Sequence, residues 1–464
     1  MAKSRTLTVE EISRLGAEQL AQLLLDVAED DPTLMRSLRI AVASRDGAAE
    51  AATQIDVEIK RIKRGKASID WDRVPAFARD LTALRDAIEG PLADADPLMA
   101  LERIFDFIDL APSVIEHSEN SDGDLDDLFH GACETAALLA AKAAPAFPPE
   151  RAAFRAYQTY LSDDYGTTDS IVAAFARGVD DATRAAMCSW IEADLARLAP
   201  PPNPADATEL LPEWKLVHAL ADMADAAGDV DAYCAAQQRL GPPVRDDAGM
   251  ARRLLDAGRP AEAYAVIREV QPNPAKSAAE LADLRIAALS ALGRRDEAQA
   301  ACWQEFARTL REQPLRDLLK HLPDFEDTEK ESEALAFAGD FRDPHRALEF
   351  LTTWPDLRGA GALVQRRLGA IDGNCYWVLG PAAERLETKE PLAATLLYRR
   401  MIDFTLDRAR SSRYGHAARH LASCTWLATT IADWYGHVPH AEYLAELQRR
   451  HGRKSGFWSR VNSS

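Results

Sequence analysis

The feature that most constrains the fold is a run of helix–glycine–helix segments in the middle of the chain. Four such segments occupy residues 220–240, 250–270, 281–306 and 334–354, with central glycines 30, 35 and 46 residues apart. Helix formers fill the flanks, and glycine suits the left-handed turn between two helices. Because one hairpin cannot bury its own apolar face, the hairpins are expected to stack into a solenoid. The spacing resembles the 34-residue tetratricopeptide period, although the full consensus is absent.

The rest of the sequence predicts the same all-α class, since no segment shows the alternation of a strand. Asp-Pro pairs at residues 31–32, 96–97 and 343–344 predict helix starts, with Asp as the cap and Pro in the first turn. Proline-rich breaks at 144–149 and 200–204 interrupt the helices. We therefore expect an N-terminal helical bundle over 1–145. An irregular tetratricopeptide-like α-solenoid with a basic C-terminal cap is expected over 146–464.

Composition limits the class of function. The 464 residues are 47% hydrophobic and carry a net charge of −19, which disfavours a chain that binds nucleic acid or an anionic membrane over its whole surface. No secretory signal or apolar run long enough to span a bilayer is visible. The six cysteines form no CxxC pair, which is typical of thiols in a reducing compartment. These observations predict a cytoplasmic location and no membrane contact.

Four segments carry a resemblance to a known family. They are 55–71 (IDVEIKRIKRGKASIDW), 122–129 (DGDLDDLF), 414–424 (YGHAARHLASC) and 443–458 (YLAELQRRHGRKSGFW). The chain resembles an uncharacterised bacterial helical-repeat family, a domain of unknown function. It is also similar to the helical region that accompanies SWIM-type zinc fingers. The CxC and CxH of that finger are missing here, so its metal and its nucleic-acid binding do not carry over, and the resemblance implies no reaction.

A candidate zinc site lies near the C-terminus. His416, His420 and Cys424 are four residues apart and share one helix face. Positions 416 and 424 are about 12 Å apart along a helix, so at most two of the three can share an ion. His451 could complete the site if the last helix folds back after Pro439. We therefore name His420, Cys424 and His451 as candidate metal ligands; the alternative is that they are packing residues of a helix pair.

Two basic segments are candidate contacts for an anion or a partner. The first segment, followed by Trp71, comprises Lys60, Arg61, Lys63, Arg64 and Lys66. It could meet phosphates, but cations that complement the dipole at a helix C-terminus are the favoured interpretation. The second segment is the C-terminal region, where residues 396–464 hold eleven Lys or Arg and five Asp or Glu. Its candidate contacts are Arg449, Arg450, Arg453 and Lys454.

No motif of a known catalytic site is present: the sequence lacks a P-loop, GxGxxG, HExxH and GxSxG. We predict no catalytic residue and no cofactor other than the zinc alternative, and an enzyme is the less favoured class. Helical solenoids present long surfaces that bind proteins or peptides. The leading hypothesis is a non-catalytic protein–protein interaction scaffold or adaptor. The alternatives are a nucleic-acid-associated protein that uses residues 60–66 and 396–460, and a zinc-binding metalloprotein.

Overall fold

The structure is a computed structural model. It describes residues 8, 15–29, 31–65, 68–120, 122–144, 146–199, 211–242, 244–270, 278–320, 322–323 and 325–462. Throughout these ranges the regular structure is helical, apart from one isolated bridge between Ile69 and Ser118. The prediction of an all-α protein is therefore confirmed. The chain divides into two compact units, Met1–Arg253 and Leu254–Ser464.

The first unit contains fourteen described helices, the last of which continues into the second unit, and one π-helical turn at Ile88–Leu92. The helices are α1 (Ala17–Glu29), α2 (Pro32–Asp46), α3 (Ala48–Arg64), α4 (Val74–Ala87), α5 (Ala93–Ala95), α6 (Pro97–Ile108), α7 (Ala111–Glu116), α8 (Asp124–Ala143), α9 (Pro149–Ser162), α10 (Ile171–Gly178), α11 (Asp181–Leu195), α12 (Leu211–Ala227), α13 (Val230–Gln237) and α14 (Asp247–Asp256).

The second unit continues with helices of similar length. They are α15 (Pro260–Glu269), α16 (Ala278–Ala291), α17 (Arg295–Thr309), α18 (Glu312–Lys320), α19 (Glu326–Gly339), α20 (Pro344–Thr353), α21 (Leu357–Arg367), α22 (Tyr376–Leu386), α23 (Pro391–Asp407), α24 (Tyr414–Leu427), α25 (His440–His451) and α26 (Ser455–Val461). Within the described ranges, no helix is both long enough and apolar enough to cross a bilayer.

The Asp-Pro pairs begin helices as the sequence predicts. The carboxylates of Asp31, Asp96 and Asp343 each accept hydrogen bonds from two first-turn backbone N–H groups. Those amides have no partner inside the helix, so the cap satisfies them while proline fixes the helical φ. Local sequence therefore sets the starts of α2, α6 and α20.

Three of the four glycine turns also form as expected. Gly228, Gly258 and Gly293 have φ values of 66°, 71° and 70°, and each joins two consecutive helices. The fourth glycine, Gly339, is the last residue of α19 and does not take the left-handed conformation. There Asp343 begins the next helix, so the hairpin closes through a cap instead of a left-handed glycine.

The core of the first unit runs past the predicted domain boundary. One continuous apolar cluster extends from Ile40 to Met223, and Phe147, inside the proline-rich break, packs against it. The break ends α8 without ending the core, because α9 and α10 return their apolar faces to the same cluster. The boundary between the two compact units is at 253/254, inside α14, and the predicted division into 1–145 and 146–464 stays a prediction.

Candidate functional site

The C-terminal helices hold the residues that the sequence predicts as zinc ligands. The Sγ atom of Cys424 lies 3.8 Å from the Thr395 carbonyl oxygen. The His420 ring stacks on Tyr398 with the two centroids 4.9 Å apart. Since residue 424 lies beside 395 and residue 420 beside 398, α23 and α24 run antiparallel.

Helix α25 follows Pro439 and folds back, as the sequence suggests. The Tyr443 hydroxyl donates to Asp403 at 3.0 Å, and His451 Nε2 lies 3.1 Å from the Asp407 carboxylate. Residues 443 and 451 thus follow residues 403 and 407 along α23. Helix α25 therefore runs in the same direction as α23 and antiparallel to α24.

This register keeps His451 away from the other two predicted ligands. Cys424 lies beside Thr395, whereas His451 lies beside Asp407, which is twelve residues further along α23. Twelve residues of helix span about 18 Å, while two donors of one zinc ion are about 4 Å apart. Within the described ranges, no three His, Cys, Asp or Glu side chains form a group suited to a metal. The structure does not bring the three together, and zinc binding stays a prediction.

The surroundings of His420 and Cys424 are those expected if both are packing residues of a helix pair. Burial lowers the pKa of His420 to about 4, with further contributions from His416 and Arg419. Burial raises the pKa of the Cys424 thiol to about 12. A zinc ligand must be a thiolate, and this environment favours the neutral thiol.

The first basic segment forms the end of α3. Lys60, Lys63 and Arg64 are exposed on its last turns, and Arg61 donates to Glu58 at 2.8 Å. Lys66 lies outside the described residues. Cations in the last turn of a helix complement its dipole, which was the favoured interpretation. Trp71 is 70% exposed, and contact with phosphates stays a prediction.

The four candidate contacts of the second basic segment lie on α25 and the turn after it. Arg449 pairs with Glu446 on the same helix, and Arg450 reaches Asp407 at 2.6 Å. Arg453 is exposed and Lys454 is partly exposed. Part of the predicted basic surface is thus neutralised within the unit, and its binding of an acidic partner or nucleic acid stays a prediction.

A cleft that the sequence does not reveal lies in the first unit, between one face of α6 and one face of α9. Its volume is about 540 Å³. The apolar residues on its floor are Leu98, Leu101, Phe105 and Ala152, of which the last three are buried. Phe154, which also lines the cleft, is 43% exposed and packs edge-on against Trp190. We call this feature the α6–α9 cleft.

The two rims of the α6–α9 cleft differ in charge. The α6 rim carries Glu102, Arg103 and Asp106, whereas the α9 rim carries Arg151 and Arg155. The Arg155 guanidinium lies 5.4 Å from the centre of the Phe105 ring, so it covers part of the apolar floor. Burial, helped by the neighbouring Asp109, raises the pKa of the Asp106 carboxyl.

Ion pairs hold several of these rim residues in place. Arg155 pairs with Asp109 at 2.6 Å, and Arg103 reaches Asp56 at 3.2 Å and Glu102 at 2.7 Å. Arg151 lies 5.5 Å from the centre of the Phe147 ring. The cleft therefore combines ordered side chains, aromatic surface and an asymmetric charge pattern.

A second groove lies between α11, α12 and α13 and has a volume of about 470 Å³. Alanines form much of its wall, and it contains the half-buried Cys188. Arg239 and Glu192 form a bidentate pair at 2.7 and 2.8 Å among its lining residues. This groove offers fewer polar and aromatic groups than the α6–α9 cleft.

The most strongly perturbed carboxyl of the first unit is Asp222 on α12. Burial raises its pKa to about 6, while His218 on the same helix opposes the rise. The nearby loop is organised by Asp163, whose carboxylate accepts from the backbone N–H groups of Tyr165, Gly166 and Thr168. These bonds are those of a turn-forming residue, and they give Asp163 a structural role.

Comparison with known families decides where the chain belongs. A family model with the description "Family of unknown function (DUF6880)" matches residues 2–460. The chain belongs to this family. The predicted resemblance to an uncharacterised family is confirmed at this level, while the likeness to the helical region of SWIM-type proteins and the bacterial origin stay predictions. No curated protein and no solved structure matches the chain.

Proposed function

We propose that this DUF6880 member is a non-catalytic scaffold that binds a peptide segment of a partner protein in the α6–α9 cleft. The observation that supports the proposal is the cleft itself, with the exposed ring of Phe154 and two rims of different net charge. Peptide grooves between helices use this combination, in which apolar anchors give affinity and rim charges give orientation.

The dimensions suit a short peptide. The lining residues extend from Leu98 to Asp106 on α6 and from Arg151 to Gln158 on α9, which corresponds to walls about 12 and 11 Å long. Such a trough accommodates about two turns of helix, or about four residues of extended chain. A cleft of about 540 Å³ is also within the range of ligand sites.

The charge pattern predicts the kind of peptide. On the α6 rim Glu102 and Asp106 outnumber Arg103, which favours a basic flank, whereas Arg151 and Arg155 on the other rim favour an acidic flank. The exposed Phe154 ring favours an apolar anchor between them. The partner segment is therefore an amphipathic peptide with a central aromatic or aliphatic residue and opposite charges on its two sides.

The test is a selection of displayed peptides on the full-length protein, followed by fluorescence anisotropy with the selected peptides. We expect the selected sequences to share an apolar anchor and an acidic flank. Arg151→Glu reverses one exposed rim charge and should weaken binding about tenfold, which corresponds to about 1.4 kcal/mol. Changing the acidic flank of the peptide to a basic one should restore affinity for the variant.

The matched control is Arg39→Glu, which makes the same charge change at an exposed position of α2. This variant should bind like the wild type. Peptides that bind Arg151→Glu and the wild type equally well would contradict the proposed site. A selection that yields no binding peptide would contradict the proposed function.

A further inference from the structure

Arg399 is a buried arginine in the middle of α23, within the second unit. Only 5% of its surface is exposed, and its guanidinium lies between two aromatic rings. The centres of the Trp434 and Tyr443 rings are 4.7 and 4.4 Å from its Cζ atom. Its Nη1 atom donates to the Val438 carbonyl oxygen at 2.6 Å. These three contacts fix both the plane and the rotation of the guanidinium.

The remaining donors of Arg399 are buried without a partner. Among the described residues, neither Nε nor Nη2 has a hydrogen-bond acceptor. These two atoms lie on the same edge of the guanidinium, and their N–H bonds are parallel. That edge is the one that binds the two oxygens of a carboxylate.

The nearest carboxyl on the same helix does not fill this role. Asp403 lies one turn beyond Arg399 and accepts a hydrogen bond from the Tyr443 hydroxyl at 3.0 Å. Burial raises the pKa of Asp403, while the hydrogen bond from Tyr443 opposes the rise. Removing a cation from water without a counter-charge is costly, which indicates that another anion balances Arg399.

Two further polar atoms without a partner belong to residues next to Arg399. They are Thr395 Oγ1, one turn earlier on α23, and His440 Nδ1 at the start of α25, where Arg399 contributes to lowering the pKa of His440. Four of the nine buried side-chain atoms without a partner in the described structure thus come from three neighbouring residues. Buried polar atoms are normally paired, so this cluster calls for a partner such as an ion or ordered water.

The hydrogen-bond network defines what His440 can offer. The Thr425 hydroxyl donates its proton to the Leu421 carbonyl oxygen at 2.9 Å. The His440 Nε2 atom, 3.1 Å from Thr425 Oγ1, must therefore be the donor in that contact. Neutral His440 then presents a lone pair at Nδ1. The site combines two guanidinium donors, one hydroxyl and one imidazole acceptor.

We infer that Arg399 is the binding residue for a small monocarboxylate, whose two oxygens accept from Nε and Nη2, with the Thr395 hydroxyl beside them. A flat carboxylate continues the plane of the guanidinium between the two rings, whereas a tetrahedral sulfate or phosphate does not. A single negative charge also neutralises Arg399 without adding a second charge next to Asp403. This inference is independent of the proposed peptide cleft, which belongs to the other unit.

The test uses the full-length protein and sodium acetate as the probe, with sodium chloride and sodium sulfate at equal ionic strength as comparisons. Acetate should raise the midpoint of thermal unfolding saturably, because a ligand that binds only the folded state stabilises it. Chloride and sulfate should give smaller, non-saturating changes. Isothermal titration calorimetry with acetate should give the same dissociation constant as the thermal series.

Three variants locate the site. Arg399→Lys keeps the charge but loses the parallel donors, and should weaken acetate binding by roughly tenfold or more. Thr395→Val preserves the shape of the side chain and should weaken binding by a smaller factor, which keeps the proposal testable if the Arg399 variant does not fold. Arg408→Lys, at an exposed position just beyond α23, is the matched control and should bind acetate like the wild type.

A further experiment distinguishes two sources of the carboxylate. A dipeptide with a free C-terminus, compared with its amide, tests whether the site takes a peptide terminus, whereas acetate alone tests a small acid. Binding of either probe that Arg399→Lys weakens supports the inference. Identical unfolding curves in acetate and chloride, as expected if the polar atoms are satisfied by ordered water only, would overturn it. Equal acetate binding by the wild type and Arg399→Lys would also overturn it.

Discussion

Single polar side chains organise the irregular segments of this protein. Asp163 shows the principle in the loop between α9 and α10, because one buried carboxylate accepts three backbone N–H groups. The amide of Thr168 belongs to a residue that is 3% exposed, so water cannot replace that acceptor. The loop conformation therefore depends on this side chain.

Asp163→Ala should lower the free energy of unfolding by about 2–3 kcal/mol, since three N–H groups lose a charged acceptor and at least one stays buried. Urea denaturation of the full-length protein measures the change. The matched control is Asp164→Ala at the adjacent exposed position, which should change stability by less than about 0.5 kcal/mol. Equal losses in the two variants would contradict the role assigned to Asp163.

Asp222 is a residue whose protonation is coupled to folding. Burial raises its pKa from 3.8 to about 6, among His218, Asp225, Asp169 and Arg177. The folded state therefore holds this proton more tightly than the unfolded state. The stability that the proton contributes is present below about pH 4 and is lost as the pH rises through about 6.

Asp222→Asn should consequently stabilise the protein by about 3 kcal/mol at pH 7, because the amide carries no charge to desolvate. The gain should shrink as the pH falls towards 4, where the wild-type carboxyl is itself neutral. Urea denaturation of both proteins at several pH values between 4 and 7 measures the difference. A difference that stays constant over this range would contradict the raised pKa.

At the scale of single elements, local sequence predicts where helices begin and turn. The Asp-Pro caps of α2, α6 and α20 and the left-handed glycines of three hairpins involve contacts within a few residues, so the sequence alone contains the needed information. The hairpin at Gly339 differs because Asp343, four residues later, supplies an alternative way to begin the next helix.

A matched pair of glycines tests this account of the hairpins. Gly293→Ala forces a side chain into a left-handed residue with φ of 70° and should cost about 1 kcal/mol. Gly380→Ala lies inside α22, where an added Cβ meets no atom within 4 Å, and should stabilise by about 0.5–1 kcal/mol. Thermal unfolding measures whether each substitution raises or lowers the stability. A loss of stability at both positions would contradict the account.

The sequence pattern does not predict contacts between elements that are distant along the chain. Arg399 belongs to the basic C-terminal region by composition, yet the structure buries it, because the chain near residues 434–443 folds over it. The three predicted zinc ligands do not lie together for a related reason. The register of α25 depends on its contacts with Asp403 and Asp407, which lie far away in the sequence. Periodicity determines which face of a helix is apolar, but it does not determine the residue opposite.

The same limit applies to the α6–α9 cleft. The apolar stripe of Leu98, Leu101 and Phe105 is visible in the sequence and suggests only a buried face, and Leu101 and Phe105 are indeed buried. The cleft beside this stripe follows from the placement of α9, whose Arg151 and Arg155 line the opposite rim. The signal that could have suggested a surface site is the i, i+3, i+4 arrangement of Arg151, Phe154 and Arg155, which places an aromatic ring and two cations on one helix face.

At the scale of the whole molecule, each of the two units contains one of the two proposed binding sites. The first unit presents the α6–α9 cleft, and the second unit presents the Arg399 site. The protein has a net charge of −19, so the cations on one rim of the cleft form a positive patch on an acidic molecule. Such a patch can orient the acidic flank of an incoming peptide. A scaffold of this kind needs no catalytic group, and peptide binding can be measured without knowing the partner.

The central claim is that a peptide binds between α6 and α9. Hydrogen exchange measured by mass spectrometry, with and without a selected peptide, tests it most directly. Exchange should slow in segments 97–108 and 149–162 and stay unchanged in segment 391–407, and Arg151→Glu should strongly reduce the protection at a peptide concentration near the wild-type dissociation constant. Protection that falls only outside the two cleft helices, or that persists fully in Arg151→Glu, would contradict the claim.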